Sequence, residues 1–166
     1  YGYAMDGSPK FAEPGIDPNY APDIAFKLLH ISLDLTIDPI AQTLHGKAIL
    51  DIQPLAIGMG DVVLDFDDMT IDCIQNSSGI DLAWNSEDGK LTIEGVQATG
   101  DQIAIHWHGE PTRGLYFTGP TPADTDRTHM AWSQCQDEDG HFFFPCIDHP
   151  SVKCSWSMSF TVPEGM

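Results

Sequence analysis

Amide, carboxylate, imidazole and thiol side chains are concentrated in residues 133–153. Two of the amides, Gln134 and Gln136, are two residues apart, so both would face the same side of a strand. A carboxamide can accept and donate hydrogen bonds without carrying a charge, which suits recognition of a polar group. The spacing therefore predicts that this segment forms the edge of a binding site.

A pair of histidines is a second candidate for chemistry. His106 and His108 are at positions i and i+2 of an alternating run, so both imidazoles would point to one face of a strand. His129 or His141 could supply a third ligand for zinc or iron, as in a small cupin-like metal enzyme. The alternative is a strand whose polar face carries two histidines while its apolar residues pack inward.

Nucleophilic catalysis requires a serine or cysteine with a base within reach. Cys135 or Cys146 with His141 or His149 would meet that requirement, although four cysteines and seven histidines in 166 residues make chance neighbours common. A chain of this size does not need disulfides, so the cysteines are predicted to be free thiols. The sequence contains neither a Gly-rich phosphate loop nor an H-E-x-x-H zinc motif.

Strands must position these residues, because the hydrophobic period along the chain is two. The first run alternates polar residues with Leu29, Ile31, Leu33, Leu35 and Ile37. A second run over 44–52 has the same alternation, and the two are predicted to pair antiparallel. Further strands are predicted at 61–66, 69–75, 80–84, 90–96, 102–108 and 154–162, with four-residue turns at 76–79 and 86–89.

This pattern indicates an all-β fold, an antiparallel β-sandwich, since no amphipathic helix interrupts it. Residues 1–23 contain four prolines and three glycines, which predicts an extended N-terminal arm. Residues 24–166 are expected to form the β-domain. Within it, 109–129 is the longest stretch without a pattern and is expected to be a loop.

The charge of the chain restricts its partners. Twenty-five acidic and seven basic residues give a formal charge of −18. Nucleic acids and anionic membranes draw affinity from clustered Lys and Arg, so neither is expected as a partner. No apolar run reaches the length of a membrane helix, and we expect a cytoplasmic protein.

Residues 114–163 resemble a known family. The matching elements, in order, are Gly114-Leu115-Tyr116, Ser133-Gln134-Cys135-Gln136, Phe144-Pro145-Cys146-Ile147-Asp148-His149-Pro150, Lys153 and Val162-Pro163. Their order and spacing are similar to those in the N-terminal domain of the zinc aminopeptidases typified by aminopeptidase N and leukotriene hydrolase, which are gluzincins. With the first two strands included, the resemblance covers roughly residues 24–166.

The resemblance implies a saddle-like all-β domain of a metallo-aminopeptidase that releases N-terminal amino acids from peptides. This domain would shape the substrate entrance and contact the peptide N-terminus. The residue at the Gln136 position would help to bind the α-amino group, and the one at the Gln134 position would line the pocket for the first side chain. Zinc and the catalytic residues would belong to a downstream domain of the same chain, so these 166 residues would be incomplete and inactive alone.

Two residues depart from the family pattern. Many members have Glu at the position of Gln136, whereas glutamine there resembles the leukotriene-hydrolase branch, which predicts weaker amine affinity or a different substrate range. His141 replaces an Arg, which predicts a weaker ion pair. Asp148 is expected to anchor its turn through backbone N–H groups, and the aromatic run 142–144 with Cys146 is expected to pack in a core or against another domain. The alternatives are a free-standing β-sandwich binding module and the cupin-like enzyme described above.

Overall fold

The computed structural model describes residues 20–55, 60–96 and 102–165. These residues contain no α-helix, one 3₁₀ turn at Gly140–Phe142, and no helix long and apolar enough to cross a membrane. Numbered in chain order, the strands are β1 (Phe26–Asp38), β2 (Thr43–Pro54), β3 (Gly60–Asp65), β4 (Thr70–Asn76), β5 (Trp84–Glu87), β6 (Lys90–Val96), β7 (Gln102–Gly109), β8 (Leu115–Thr118), β9 (Met130–Ser133) and β10 (Ser155–Thr161).

Three sheets enclose one hydrophobic core. The largest has the order β10-β1-β2-β7-β4, the second has the order β3-β6-β5, and β8 pairs with β9. The all-β prediction and the antiparallel β1–β2 pair are confirmed. One pair departs from the antiparallel pattern, because β10 runs parallel to β1. Its partners, such as His30 and Ser155, are 125 residues apart in sequence, so no local signal could reveal the pairing.

A bulge in β1 changes which residues face the core. The register with β2 shifts between Leu28 and His30. Leu28 is buried before the bulge, and the alternate residues from Ile31 to Ile37 are buried after it, whereas Leu29 is 41% exposed. The prediction that Leu29 shares the buried face is therefore wrong, since one extra residue reverses the alternation.

One strand of the second sheet, β5, begins later than the sequence suggested. The strand predicted at 80–84 is not formed, and Asp81 makes only an isolated bridge. Instead, β5 pairs with β6 across a two-residue turn at Asp88 and Gly89, which have φ values of 51° and 71°. Such Asp-Gly turns match the twist of the flanking strands, and this one lies within the stretch 86–89 that was predicted to turn.

The other predicted strands agree with β2, β3, β4, β6, β7 and β10 to within two residues. The expected loop at 109–129 is interrupted by β8. The expected N-terminal arm lies outside the described residues except for 20–23, which are not in a strand.

Trp107 lies at the centre of the core. Its side chain is 1% exposed, and its ring meets that of Phe66 edge to face with centroids 6.1 Å apart. The indole N–H donates to the Phe143 carbonyl oxygen at 2.9 Å. The ring lies against β2 at Gly46, where a Cβ atom would be 2.2 Å from Trp107 Cζ2. Glycine is therefore required at position 46 because an aromatic ring packs on the backbone.

We predict that Gly46→Ala destabilises the protein by about 1–3 kcal/mol, since the added methyl group would displace the Trp107 ring. Chemical denaturation followed by tryptophan fluorescence measures this change. Gly60→Ala is the matched control, because a Cβ there meets nothing within 4 Å. Equal stability of the two variants would contradict the packing argument.

Candidate functional site

The two amides predicted to contact a ligand lie just after the β8–β9 hairpin. Gln134 follows β9 directly, and its backbone N–H donates to the carbonyl oxygen of Gly114 at 2.9 Å. Gln136 lies in a turn two residues later, and both glutamines are exposed. Neither belongs to a strand, so the expectation that they share one strand face is not met. We call residues 134–139 the amide loop.

Arg113 closes the base of the amide loop, and nothing in the sequence pointed to it. Its Nη2 donates to Asp139 Oδ1 at 2.7 Å, and its guanidinium carbon lies 4.0 Å from the centroid of the Phe142 ring. The backbone N–H of Asp139 also donates to the Cys135 carbonyl oxygen at 3.1 Å. An ion pair with an exposed partner contributes little stability by itself, but together these contacts hold the two ends of the loop close to each other.

Gly114 permits this close approach. Its φ is +73°, and a Cβ atom there would lie 2.0 Å from the carbonyl oxygen of Asp139. Both the positive φ and the lack of space for a Cβ atom therefore require glycine at this position.

The residues that follow the amide loop are buried in the core. Phe143, Phe144, Cys146 and Ile147 are between 5% and 9% exposed. The backbones of Cys146 and Asp65 are joined by hydrogen bonds of 2.7 and 3.2 Å, which connect the segment to β3. Core packing is therefore confirmed for Phe143, Phe144 and Cys146, whereas Phe142 is buried outside the core cluster, against Arg113 and His141.

Asp148 anchors the far end of this buried segment. Its Oδ2 accepts the backbone N–H of His141 at 3.0 Å, and the ring Nδ1 of His141 lies 2.9 Å from the same oxygen. The backbone N–H of Asp148 donates to Asp65 Oδ2 at 2.8 Å, and Asp65 also pairs with Lys90. The anchoring role expected for Asp148 is confirmed, and His141 is the residue that contacts its carboxylate.

The thiols of this region are unsuited to nucleophilic catalysis. Burial, with added repulsion from carboxylates such as Asp148, raises the pKa of Cys146 well above its usual value. Burial is also the main cause that raises the pKa of Cys135 and Cys154. All four cysteines are free, as predicted. Because the thiolate is the nucleophile, a raised pKa disfavours nucleophilic chemistry at these three thiols.

The histidines do not form a metal centre among the described residues. His106 and His108 share the outer face of β7, where His108 Nδ1 lies 2.7 Å from Asp72 Oδ1 and its ring stacks on His45. His129 lines a groove on the inner side of the sheet. No three His, Cys, Asp or Glu side chains in the described part of the chain are placed to hold a metal ion. The third ligand required by the cupin-like alternative is therefore missing from those residues.

An apolar groove of about 700 Å³ lies beside the amide loop. Cys135 and Phe144 contribute to its wall, together with the inner faces of β1 and β10 and the β8–β9 hairpin. None of the lining residues carries a carboxylate, ammonium or guanidinium group. The groove therefore offers apolar packing surface.

The amide loop offers several hydrogen-bonding groups. Two carboxylates at or near it are engaged, Asp139 with Arg113 and Asp148 with His141, and Asp137 and Glu138 lie within the loop itself. A carboxamide oxygen can accept a hydrogen bond from an ammonium group at a smaller desolvation cost than a buried carboxylate. The arrangement can therefore bind a polar or cationic group.

This chain matches only part of the length of its curated relatives. Leucine aminopeptidase 2 of Neurospora crassa is 25% identical over 163 residues, which cover 90% of this chain and 24% of that protein. Transcription initiation factor TFIID subunit 2 of Drosophila melanogaster is 32% identical over 77 residues, which are 42% of this chain and 6% of that protein. The chain therefore spans about a quarter of the aminopeptidase it matches.

Solved structures share the fold. Yeast LTA4 hydrolase in complex with bestatin superposes with a TM-score of 0.73 at 19% identity, covering 91% of this chain and 26% of that chain. The M1 zinc metallopeptidase of Deinococcus radiodurans gives a TM-score of 0.68 at 20% identity, covering 84% and 33%. The family model of the Peptidase M1 N-terminal domain matches residues 21–166. The chain therefore belongs to the Peptidase M1 N-terminal domain family.

Proposed function

We propose that this chain is the substrate-contacting, non-catalytic domain of a zinc metallo-aminopeptidase. The observation that carries the proposal is the amide loop, in which Gln134 and Gln136 are exposed on a backbone tied at both ends. The membership of the chain in the Peptidase M1 N-terminal domain family supports the peptidase assignment. The substrate class is a peptide with a free α-amino group.

Gln136 would bind the α-amino group of the peptide. The ammonium has three N–H donors and needs acceptors when water is removed from around it. The Gln136 carboxamide oxygen supplies one acceptor without adding a charge. Gln134, at the start of the same loop, would line the pocket for the first side chain.

Zinc and the groups that activate water would come from a downstream catalytic domain. The described residues do not fit a zinc site, since no three potential ligands are suitably placed there. Their part in hydrolysis would be to hold the peptide N-terminus in position, which lowers the barrier by orienting the substrate. The chain would have no peptidase activity by itself.

A second candidate function is that of a binding module without a peptidase partner. The match to the transcription initiation factor subunit favours it, because that protein's name describes no peptidase. Under this reading, the amide loop would contact a protein partner.

We expect the purified chain to contain no stoichiometric zinc or iron, because its histidines and carboxylates are not grouped as ligands in the described residues. Elemental analysis after dialysis against metal-free buffer measures the content. One bound metal per chain would contradict this expectation and would favour the cupin-like enzyme.

In the complete aminopeptidase, Gln136→Ala should lower kcat/KM for peptides with a free amino terminus by about tenfold, the scale of one hydrogen bond to a charged group. Steady-state kinetics measures the effect. Gln53→Ala is the control, since it removes an exposed amide from β2 on a different element. Unchanged kinetics in Gln136→Ala would remove this residue from the site.

Arg113→Ala should loosen the amide loop without unfolding the domain. The loss of the Asp139 contact and of the stacking on Phe142 should accelerate hydrogen exchange at the Gln134 and Asp139 amides by about fivefold, equivalent to ~1 kcal/mol. Arg113→Lys should restore part of the protection, because it keeps the charge but not the planar stacking. Exchange measured by NMR that does not differ from the wild type, or that changes equally in exposed Arg127→Ala, would contradict the positioning role.

A further inference from the structure

Three polar side chains from adjacent strands meet on the outer face of the large sheet. His45 is on β2, His108 on β7 and Asp72 on β4, and these strands are neighbours in the sheet. His45 is exposed between the buried residues Leu44 and Gly46, so it faces away from the core. His45 and His108 are directly opposite each other in the antiparallel β2–β7 pair. Opposite residues have Cβ atoms only about 4.5–5.5 Å apart, so the two imidazoles are held side by side.

The spacing of the two rings suits a shared metal ion. The centroids of the His45 and His108 rings are 5.6 Å apart, and the ring planes are inclined by 23°. An ion about 2.0–2.1 Å from one nitrogen of each imidazole requires ring centroids roughly 4.5–6 Å apart. The observed separation lies within that range. Rotation of the two side chains can therefore place a nitrogen of each ring on one ion without any movement of the backbone.

Asp72 orients the His108 ring for metal binding. The Nδ1 atom of His108 lies 2.7 Å from Asp72 Oδ1. Because a carboxylate only accepts hydrogen bonds, Nδ1 carries the proton and Nε2 keeps its lone pair. Histidines that bind metals commonly donate their other N–H to a carboxylate, which fixes the ring and makes the free nitrogen more basic. Asp72 lies where the β4–β7 register shifts, and bulges of this kind redirect a side chain.

The neighbouring histidine on β7 has different surroundings. His106 shares the outer face with His108, but it is opposite Lys47 on β2 and Cys73 on β4. A lysine ammonium beside an imidazole opposes the addition of a second positive charge. His108 instead has a carboxylate on one side and an imidazole on the other. The favoured pair therefore joins two strands, His45 with His108, and differs from the i, i+2 pair that alternation along β7 suggests.

We propose that His45 and His108 together bind one divalent transition-metal ion, with Asp72 as the positioning residue for His108. Imidazole nitrogen suits Ni²⁺, Cu²⁺ and Zn²⁺, and for a given site the affinity is highest for Cu²⁺. Water would complete the coordination of the ion. The formal charge of −18 raises the concentration of cations near the surface, which favours their capture.

A site with two protein ligands holds its ion reversibly. Structural zinc sites have four protein ligands and catalytic zinc sites have three, whereas this pair supplies two. The ion is therefore expected to exchange with solution and to be removed by dialysis against metal-free buffer, in agreement with the absence of stoichiometric zinc expected above. Because the ion would connect β2 and β7 only when both strands are folded, binding should also raise the Tm of the chain.

Calorimetric titration of the chain with Ni²⁺, after purification without a polyhistidine tag, tests the proposal. Ni²⁺ is the probe because it binds imidazole and, unlike Cu²⁺, does not oxidise the four free thiols. Excess Mg²⁺ in the buffer occupies any site made only of carboxylates, since Mg²⁺ prefers oxygen ligands. We expect one Ni²⁺ per chain under these conditions. In NMR spectra, the amide signals of residues 44–46 and 107–109 should shift or broaden first, because Ni²⁺ is paramagnetic.

Substitutions separate the ligands from their neighbours. His45→Ala and His108→Ala should each raise the Kd for Ni²⁺ at least about tenfold, since even partners of a ligand contribute 10–100-fold to metal affinity. Asp72→Ala should raise the Kd by about tenfold. Asp72→Asn should restore part of the affinity, because its carboxamide oxygen still accepts the Nδ1–H of His108. His106→Ala is the matched control on the same face of β7 and should leave the Kd unchanged.

Three results would overturn the proposal. The first is a chain that binds no Ni²⁺ in excess Mg²⁺. The second is a Kd that stays unchanged in His45→Ala or in His108→Ala. The third is an equal loss of affinity in His106→Ala, which would place the ion elsewhere on the sheet. Circular dichroism of each variant establishes that it is folded, and the NMR titration of the unsubstituted chain locates the ion independently of any substitution.

Discussion

Trp107 connects the parts of this molecule that would otherwise be independent. The indole is fully buried, so its N–H must find an acceptor inside the protein, and it donates to the Phe143 carbonyl oxygen. The same ring packs on the bare backbone of Gly46 and against the edge of Phe66. A hydrogen bond in a region of low dielectric is costly to break, so this contact fixes the aromatic run to the large sheet.

That attachment helps to hold the amide loop in place. On one side, Phe143 and Cys146 hold the following segment in the core and on β3. On the other, Gln134 continues the hairpin pairing through Gly114. A loop with both ends fixed can present its amides at the surface with little loss of entropy on binding. The raised pKa values of the neighbouring thiols are consistent with a region that binds without reacting.

Most of the strands were predictable because alternation is a local property. A half-buried strand needs apolar residues at every second position, and the runs that became β2, β6 and β7 meet that condition without interruption. The failures were also local in origin. A bulge at Leu29 reversed the alternation, and a two-residue Asp-Gly turn placed β5 a few residues later than expected. Each depends on one or two residues, whose effect is lost when periodicity is averaged over a longer stretch.

The sequence by itself determined the all-β class, the family and the anchoring role of Asp148, because each depends on residues that are close together in the chain. Only the tertiary structure decided that β10 pairs parallel with β1 and leaves Phe160 in solvent, since the same alternation describes a covered or an uncovered strand. It also decided that Arg113 closes the amide loop. Asp139 lies 26 residues further along the chain, and contacts over such a distance depend on how the whole chain folds rather than on any local pattern.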